Sequence, residues 1–93
     1  MTTLVLPHAA TSTAPVARAL ACELRTDGVP AGTAAEAVAA VLGLLGQALA
    51  TGAPLPGGAL RVSWSVGGDG GVHLSVRDAT GLRTAQVGAL VPH

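Results

Sequence analysis

The chain of 93 residues has no phenylalanine, no tyrosine and one tryptophan, Trp64, so its interior has to be built from Leu, Val and Ala. Such a core buries less area per side chain than an aromatic one. Stability alone is then marginal, and self-association as a homodimer is an expectation. Lysine is also missing: all five cations are arginine, and five acids balance them to a formal net charge of zero. With no basic excess, no cluster and no aromatic interleaving, the electrostatic footprint of a nucleic-acid binder is absent. Cys22 is the only cysteine, which excludes an intramolecular disulfide and a thiolate zinc site and fits a reducing cytoplasm. No apolar run approaches membrane length, and the N-terminus lacks the basic region and apolar core of a signal peptide. The expectation is a cytoplasmic protein with neither a nucleic-acid nor a membrane partner.

What is present centres on residues 60–81. Leu60, Val62, Trp64 and Val66 share one parity against Arg61, Ser63 and Ser65, and Val72, Leu74 and Val76 repeat the alternation beyond a glycine-rich stretch. Gly67, Gly68, Asp69, Gly70 and Gly71 supply the turn of an antiparallel hairpin. Asp78 falls on the buried parity at the end of the second strand, where a carboxylate is costly without a partner. Two readings stand side by side: a functional carboxylate, and the first residue of a turn Asp78-Ala79-Thr80-Gly81.

Elsewhere, Thr2–Leu6 reads as an edge strand ended by Pro7. Thr11, Ser12 and Thr13 offer a cap for a helix of about four turns, with Pro15 in its first turn, Val16, Leu20 and Leu24 on its apolar face, and Gly28 with Pro30 as its stop. A second helix is expected from a capping box at Thr33 and Glu36, with Val38, Val41, Leu42, Leu45 and Leu49 as its stripe and Gly52 with Pro54 as its end. Glu36, Ala40, Gly43 and Gln47 lie opposite that stripe. Gly43 and Gly46 each cost roughly 1 kcal/mol against alanine inside a helix. A third short strand is expected over Leu82–Val87, followed by a tail at residues 88–93. The order strand, helix, helix, strand, strand and a further short strand predicts an α+β fold: a two-layer sandwich of a mostly antiparallel sheet with two helices on one face, in one domain.

Chemistry-bearing residues are few. His8, His73 and His93 lie far apart and read as surface histidines, and Cys22 reads as a small buried hydrophobe in an Ala-rich helix. Ser63, Ser65 and Ser75 sit on exposed strand positions with no nucleophile elbow. The glycine stretch 67–71 has no following Lys-Ser or Lys-Thr and no helix behind it, so it reads as a turn and not as a phosphate loop. Arg61 and Arg77 share the exposed parity of adjacent strands, as solvated arginines or a small basic patch.

Taken together, the segments ARALACELRTDGVP, AEAVAAVLGLLGQALATG, LRVSWSV and VHLSVRDATG resemble the GHKL (histidine-kinase-like) ATPase fold. They are most similar to the ATPase domains of actinobacterial anti-sigma factors of the serine-kinase type, over roughly residues 4–87. The resemblance implies a nucleotide site in which Asp78 bonds the adenine amino group, the family's Glu position falls at Gly43 and its Mg²⁺-holding Asn position at Gln47, with Thr80 and Gly81 beside Asp78. Gly43 has no side chain to polarise a water, and only fifteen residues follow Asp78, too few for the family's lid and second glycine-rich box. The implied reading is a degenerate, truncated domain without catalytic residues or a bound metal, acting by protein binding as an anti-sigma-like or partner-switch regulator of a sigma factor or other regulator. No cofactor is then needed. The alternatives are a minimal domain or serine kinase that binds ATP and Mg²⁺, and a small structural or assembly subunit.

Overall fold

The computed structural model describes residues 1–88. They form β1 (Thr2–Pro7), a 3₁₀ turn (Ala10–Ser12), α1 (Thr13–Thr26), α2 (Ala31–Thr51), β2 (Ala59–Val66), β3 (Val72–Asp78) and β4 (Gly81–Val87). The strands lie side by side in the order β1-β2-β3-β4, every neighbouring pair antiparallel. Both helices fall between β1 and β2 in the chain and pack on one face, so the α+β two-layer architecture expected from the sequence is the one found, with the third short strand present as β4. The tail expected at residues 88–93 lies beyond Gly88 outside the described residues, as does His93.

The strand parity places Leu60, Val62, Trp64, Val72, Leu74 and Val76 in the core, against Val16, Leu20 and Leu24 of α1. Val66 shares that parity but lies at the sheet's end and is 37% exposed. The β2–β3 turn closes through the Gly67 N–H on the Gly71 carbonyl at 2.8 Å, and Asp69 Oδ1 accepts the Gly71 N–H at 2.9 Å. At the end of α1, Gly28 adopts φ 76° while the N–H groups of Gly28 and Val29 return to the carbonyls of Arg25 and Leu24 at 3.1 and 3.0 Å. That pair of bonds is the Schellman closure, which needs a residue without a Cβ at the left-handed position.

Helix α2 departs from the expected start. Pro30 occupies the cap position with φ −55°, and the Ala34 N–H bonds its carbonyl at 2.9 Å, which leaves Thr33 inside the first turn. The preset φ of proline starts the helix with no hydroxyl cap. Its buried face is also rotated from the expected stripe: Ala37, Val41, Leu44, Leu45 and Ala48 are buried, whereas Val38, Leu42 and Leu49 are half-buried at the margins. Alanine carries little weight in a hydrophobic pattern, yet its small side chain lets the helix approach its neighbours closely. With 21 residues α2 is long and apolar enough to cross a membrane by length and composition, which corrects the expectation that no segment approaches that length. Here its apolar face joins the core.

The sheet face turned away from the helices is mostly polar, with the exposed Val5 and Leu82 at the two ends of its Arg61-Arg77 row. One row across all four strands consists of Thr3, Ser63, Ser75 and Thr84, each the direct partner of the next.

Candidate functional site

Asp78 ends β3 on the core side, where it is buried, and the turn reading of this residue holds. Its two-residue turn Ala79-Thr80 has no positive φ; the reversal is completed by Gly81 at φ 132°, the direct strand partner of Asp78. Aspartate at the first and glycine at the fourth position of such a turn are favoured because the carboxylate accepts the backbone N–H two residues on. That bond, from the Thr80 N–H to Oδ1, measures 2.9 Å.

The carboxylate is 3% exposed and fully engaged. Oδ1 accepts the Thr80 hydroxyl at 2.5 Å, and Arg83 Nη1 lies 3.4 Å from each carboxylate oxygen. Oδ2 also faces His8 Nε2 at 3.4 Å. Arg83 reaches on to the Thr51 hydroxyl through Nη2 at 3.3 Å, and the Ala79 N–H bonds the Ala53 carbonyl at 2.8 Å. Four segments therefore converge on one acid: the loop after β1, the end of α2, the β3–β4 turn, and β4.

Gly52 seals this cluster. Its φ of −90° is open to any residue, so conformation does not explain the glycine. Space does: a Cβ there would stand 2.5 Å from the Ala48 carbonyl oxygen and overlap Asp78 Oδ2 outright. The glycine that reads in sequence as a helix stop is also the wall against which the carboxylate rests.

Thr80's hydroxyl, opposed by burial and joined by the Thr80 backbone N–H, His8 and Arg83, lowers the Asp78 pKa from 3.8 to about 2. A carboxylate so held is ionised throughout the neutral range and is a weak proton acceptor, which suits it poorly to general acid–base work. Its oxygens are spent on the fold's own donors.

Of the other residues singled out in sequence, Thr80 and Gly81 stand beside Asp78. Gly43 and Gln47 lie on the exposed face of α2, away from the buried face that packs on the sheet. Gln47 connects to the cluster only through its main chain, whose carbonyl accepts the Thr51 hydroxyl at 2.9 Å. Among the described residues a Cβ at Gly43 or Gly46 would meet nothing within 4 Å, so packing among them does not require either glycine.

Two expectations need correction. His8 is not a surface histidine: its side chain is 10% exposed and bonds Asp78, because Pro7 ends the strand and the following turn, held by the Ser12 hydroxyl on the Pro7 carbonyl at 2.6 Å, folds the ring back over the sheet end. Cys22 is exposed, not buried, because it lies off the Val16-Leu20-Leu24 stripe of α1. Sequence reasoning also missed Glu23. One of its oxygens accepts the Thr2 hydroxyl at 2.5 Å and the other the indole N–H of Trp64, so a second acid ties α1 to β1 and β2. The signal was present: a lone buried tryptophan needs an acceptor for its N–H.

Among the described residues no three His, Cys, Asp or Glu side chains gather in a metal-binding group. Comparison with protein-family models, with curated proteins and with solved structures finds no match to this chain.

Proposed function

We propose that this chain is a non-catalytic regulatory domain that acts by binding another protein, in the anti-sigma-like or partner-switch manner of the ATPase domains its segments resemble. The observation that carries this reading is the state of Asp78. The one residue matching the adenine-binding position has every carboxylate oxygen committed to Thr80, His8 or Arg83, and Gly52 closes the space behind it. Gly43 supports the same reading, since it offers no group to activate a water, and Gln47 points to solvent. What remains for function is surface, and surface is what a partner-binding domain uses. The exposed, unpaired Cys22 supports a reducing, cytoplasmic setting.

The test is a calorimetric titration with Mg-ATP, together with an assay for phosphate transfer to a serine of a candidate sigma factor or regulator. The reading expects no heat of binding and no transfer, with a stable complex between the two proteins. Micromolar Mg-ATP binding or a phosphorylated serine removes it in favour of the kinase alternative.

A further inference from the structure

The chain is neutral overall, but its charges are segregated. Asp78 and Glu23 are consumed inside the fold, Asp69 accepts a backbone N–H in the β2–β3 turn, Asp27 ends α1, and Glu36 lies on the outer face of α2. None of these acids stands on the sheet face that the helices leave open. That face carries Arg61 and Arg77, direct partners across β2 and β3, both exposed. The ion pairs among the described residues are those of Asp78 with His8 and Arg83, so neither arginine has a carboxylate partner there. Like charges set directly opposite on a sheet are unfavourable without an anion between them.

Two residues further along each strand, about 7 Å away, stand Ser63 and Ser75, again direct partners. They continue into Thr3 on one side, whose hydroxyl lies 3.1 Å from that of Ser63, and Thr84 on the other. Ser63, Ser75 and Thr84 lie between the arginine row and His73 and, with Met1, Ser65 and His73, line a shallow depression of about 150 Å³ whose lining does not extend to Arg61 and Arg77. A carboxylate seated over Ser63 and Ser75 would accept hydrogen bonds from the serine hydroxyls below and from the guanidinium groups of Arg61 and Arg77 reaching over from the adjacent row, an arrangement of charge-assisted bonds that arginine's planar fork suits. Trp64 points to the core, so among the described residues the face offers no Trp, Tyr or Phe ring on which a base would stack, and its imidazole, His73, lies on the far side of the serine row from the arginines.

We infer that the open sheet face is the docking surface for an acidic segment of the partner protein, with an Asp or Glu carboxylate placed over Ser63 and Ser75 and gripped by Arg61 and Arg77. This rests on the protein-binding reading above. The experiment is a two-dimensional amide NMR titration of the whole chain with a synthetic hexaglutamate peptide at low salt, and with inorganic phosphate as a second probe. The expected result is shifts concentrated at residues 61–65, 73–77 and Thr84. R61A/R77A should weaken peptide binding by about tenfold or more, while the charge-matched R18A/R25A leaves it unchanged. All four arginines are exposed, so both variants should retain the fold, and unfolding curves verify this. Absence of peptide binding, shifts centred on α1 or α2, equal affinity in R61A/R77A, or phosphate bound more tightly than the peptide each overturns the proposal. A partner protein captured equally by wild type and R61A/R77A overturns this surface while leaving protein binding itself intact.

Discussion

Replacing Gly52 by alanine sets two physical arguments against each other. By conformation alone the change should help: φ −90°, ψ −176° suits alanine, and restricting the unfolded chain at a compatible site contributes about 0.4–1 kcal/mol of stability. By packing it should harm, because the new methyl overlaps Asp78 Oδ2 and stands 2.5 Å from the Ala48 carbonyl. A main-chain carbonyl at a helix end cannot swing aside as a flexible side chain can. Either the last turn of α2 lifts from the sheet or the carboxylate leaves its donors. Overpacking costs about 1–3 kcal/mol, and a displaced charge-assisted hydrogen bond about 1.5–3 kcal/mol. The net expectation is a loss of about 3 kcal/mol, or roughly 12–24 °C in Tm for a domain of this size. Trp64, 2% exposed and the only tryptophan, reports unfolding by its fluorescence in urea or on heating. In an Asp78→Ala background the same substitution should cost at least about 1 kcal/mol less, since one of its two obstacles is gone. An unchanged or raised Tm for Gly52→Ala, or the same cost in both backgrounds, refutes the sealed-carboxylate account.

Further predictions follow from the same contacts. Asp78 has its folded pKa lowered from 3.8 to about 2, so its contribution is fully present above about pH 4 and is lost as pH falls from there toward 2; Asp78→Asn should flatten the stability profile of acid unfolding in that window. Glu23→Ala strands the buried Trp64 N–H and the Thr2 hydroxyl and should cost about 1–3 kcal/mol, read by urea midpoint with little change in slope. Among the described residues a methyl at Gly43 or Gly46 meets nothing within 4 Å, so Gly43→Ala and Gly46→Ala should each stabilise the isolated chain by roughly 0.5–1 kcal/mol in thermal unfolding; a loss of stability would mean that this face of α2 is packed against another part of the chain.

The fold was legible because its signals are local. Alternation in Leu60–Val66 and Val72–Val76 fixes two strands and their parity, the fourfold spacing of Val16, Leu20 and Leu24 fixes one helix face, and Asp78-Ala79-Thr80-Gly81 names its own turn. The parts that were not legible depend on residues brought together from distant segments. His8 and Asp78 are 70 positions apart, Trp64 and Glu23 are 41 apart, and nothing in either local pattern announces the pairing. Gly52 reads as a helix stop, and only the carboxylate of β3 resting against it discloses the second reason for glycine. Ala37 and Ala48 were overlooked for the opposite cause: a residue too small to mark a hydrophobic stripe is the one that lets α2 settle on the sheet.

The central claim is that Asp78 is an internal latch and not a nucleotide ligand, and Asp78→Asn measured with and without Mg-ATP tests it most directly. The substitution keeps the shape and removes the charge, leaving His8 and Arg83 with a weaker acceptor. The account predicts that Asp78→Asn lowers the unfolding midpoint with no nucleotide present, by about 2 kcal/mol or more, and that Mg-ATP moves the midpoint of neither protein. An Asp78→Asn protein as stable as wild type, set beside a wild type that Mg-ATP stabilises, would contradict it.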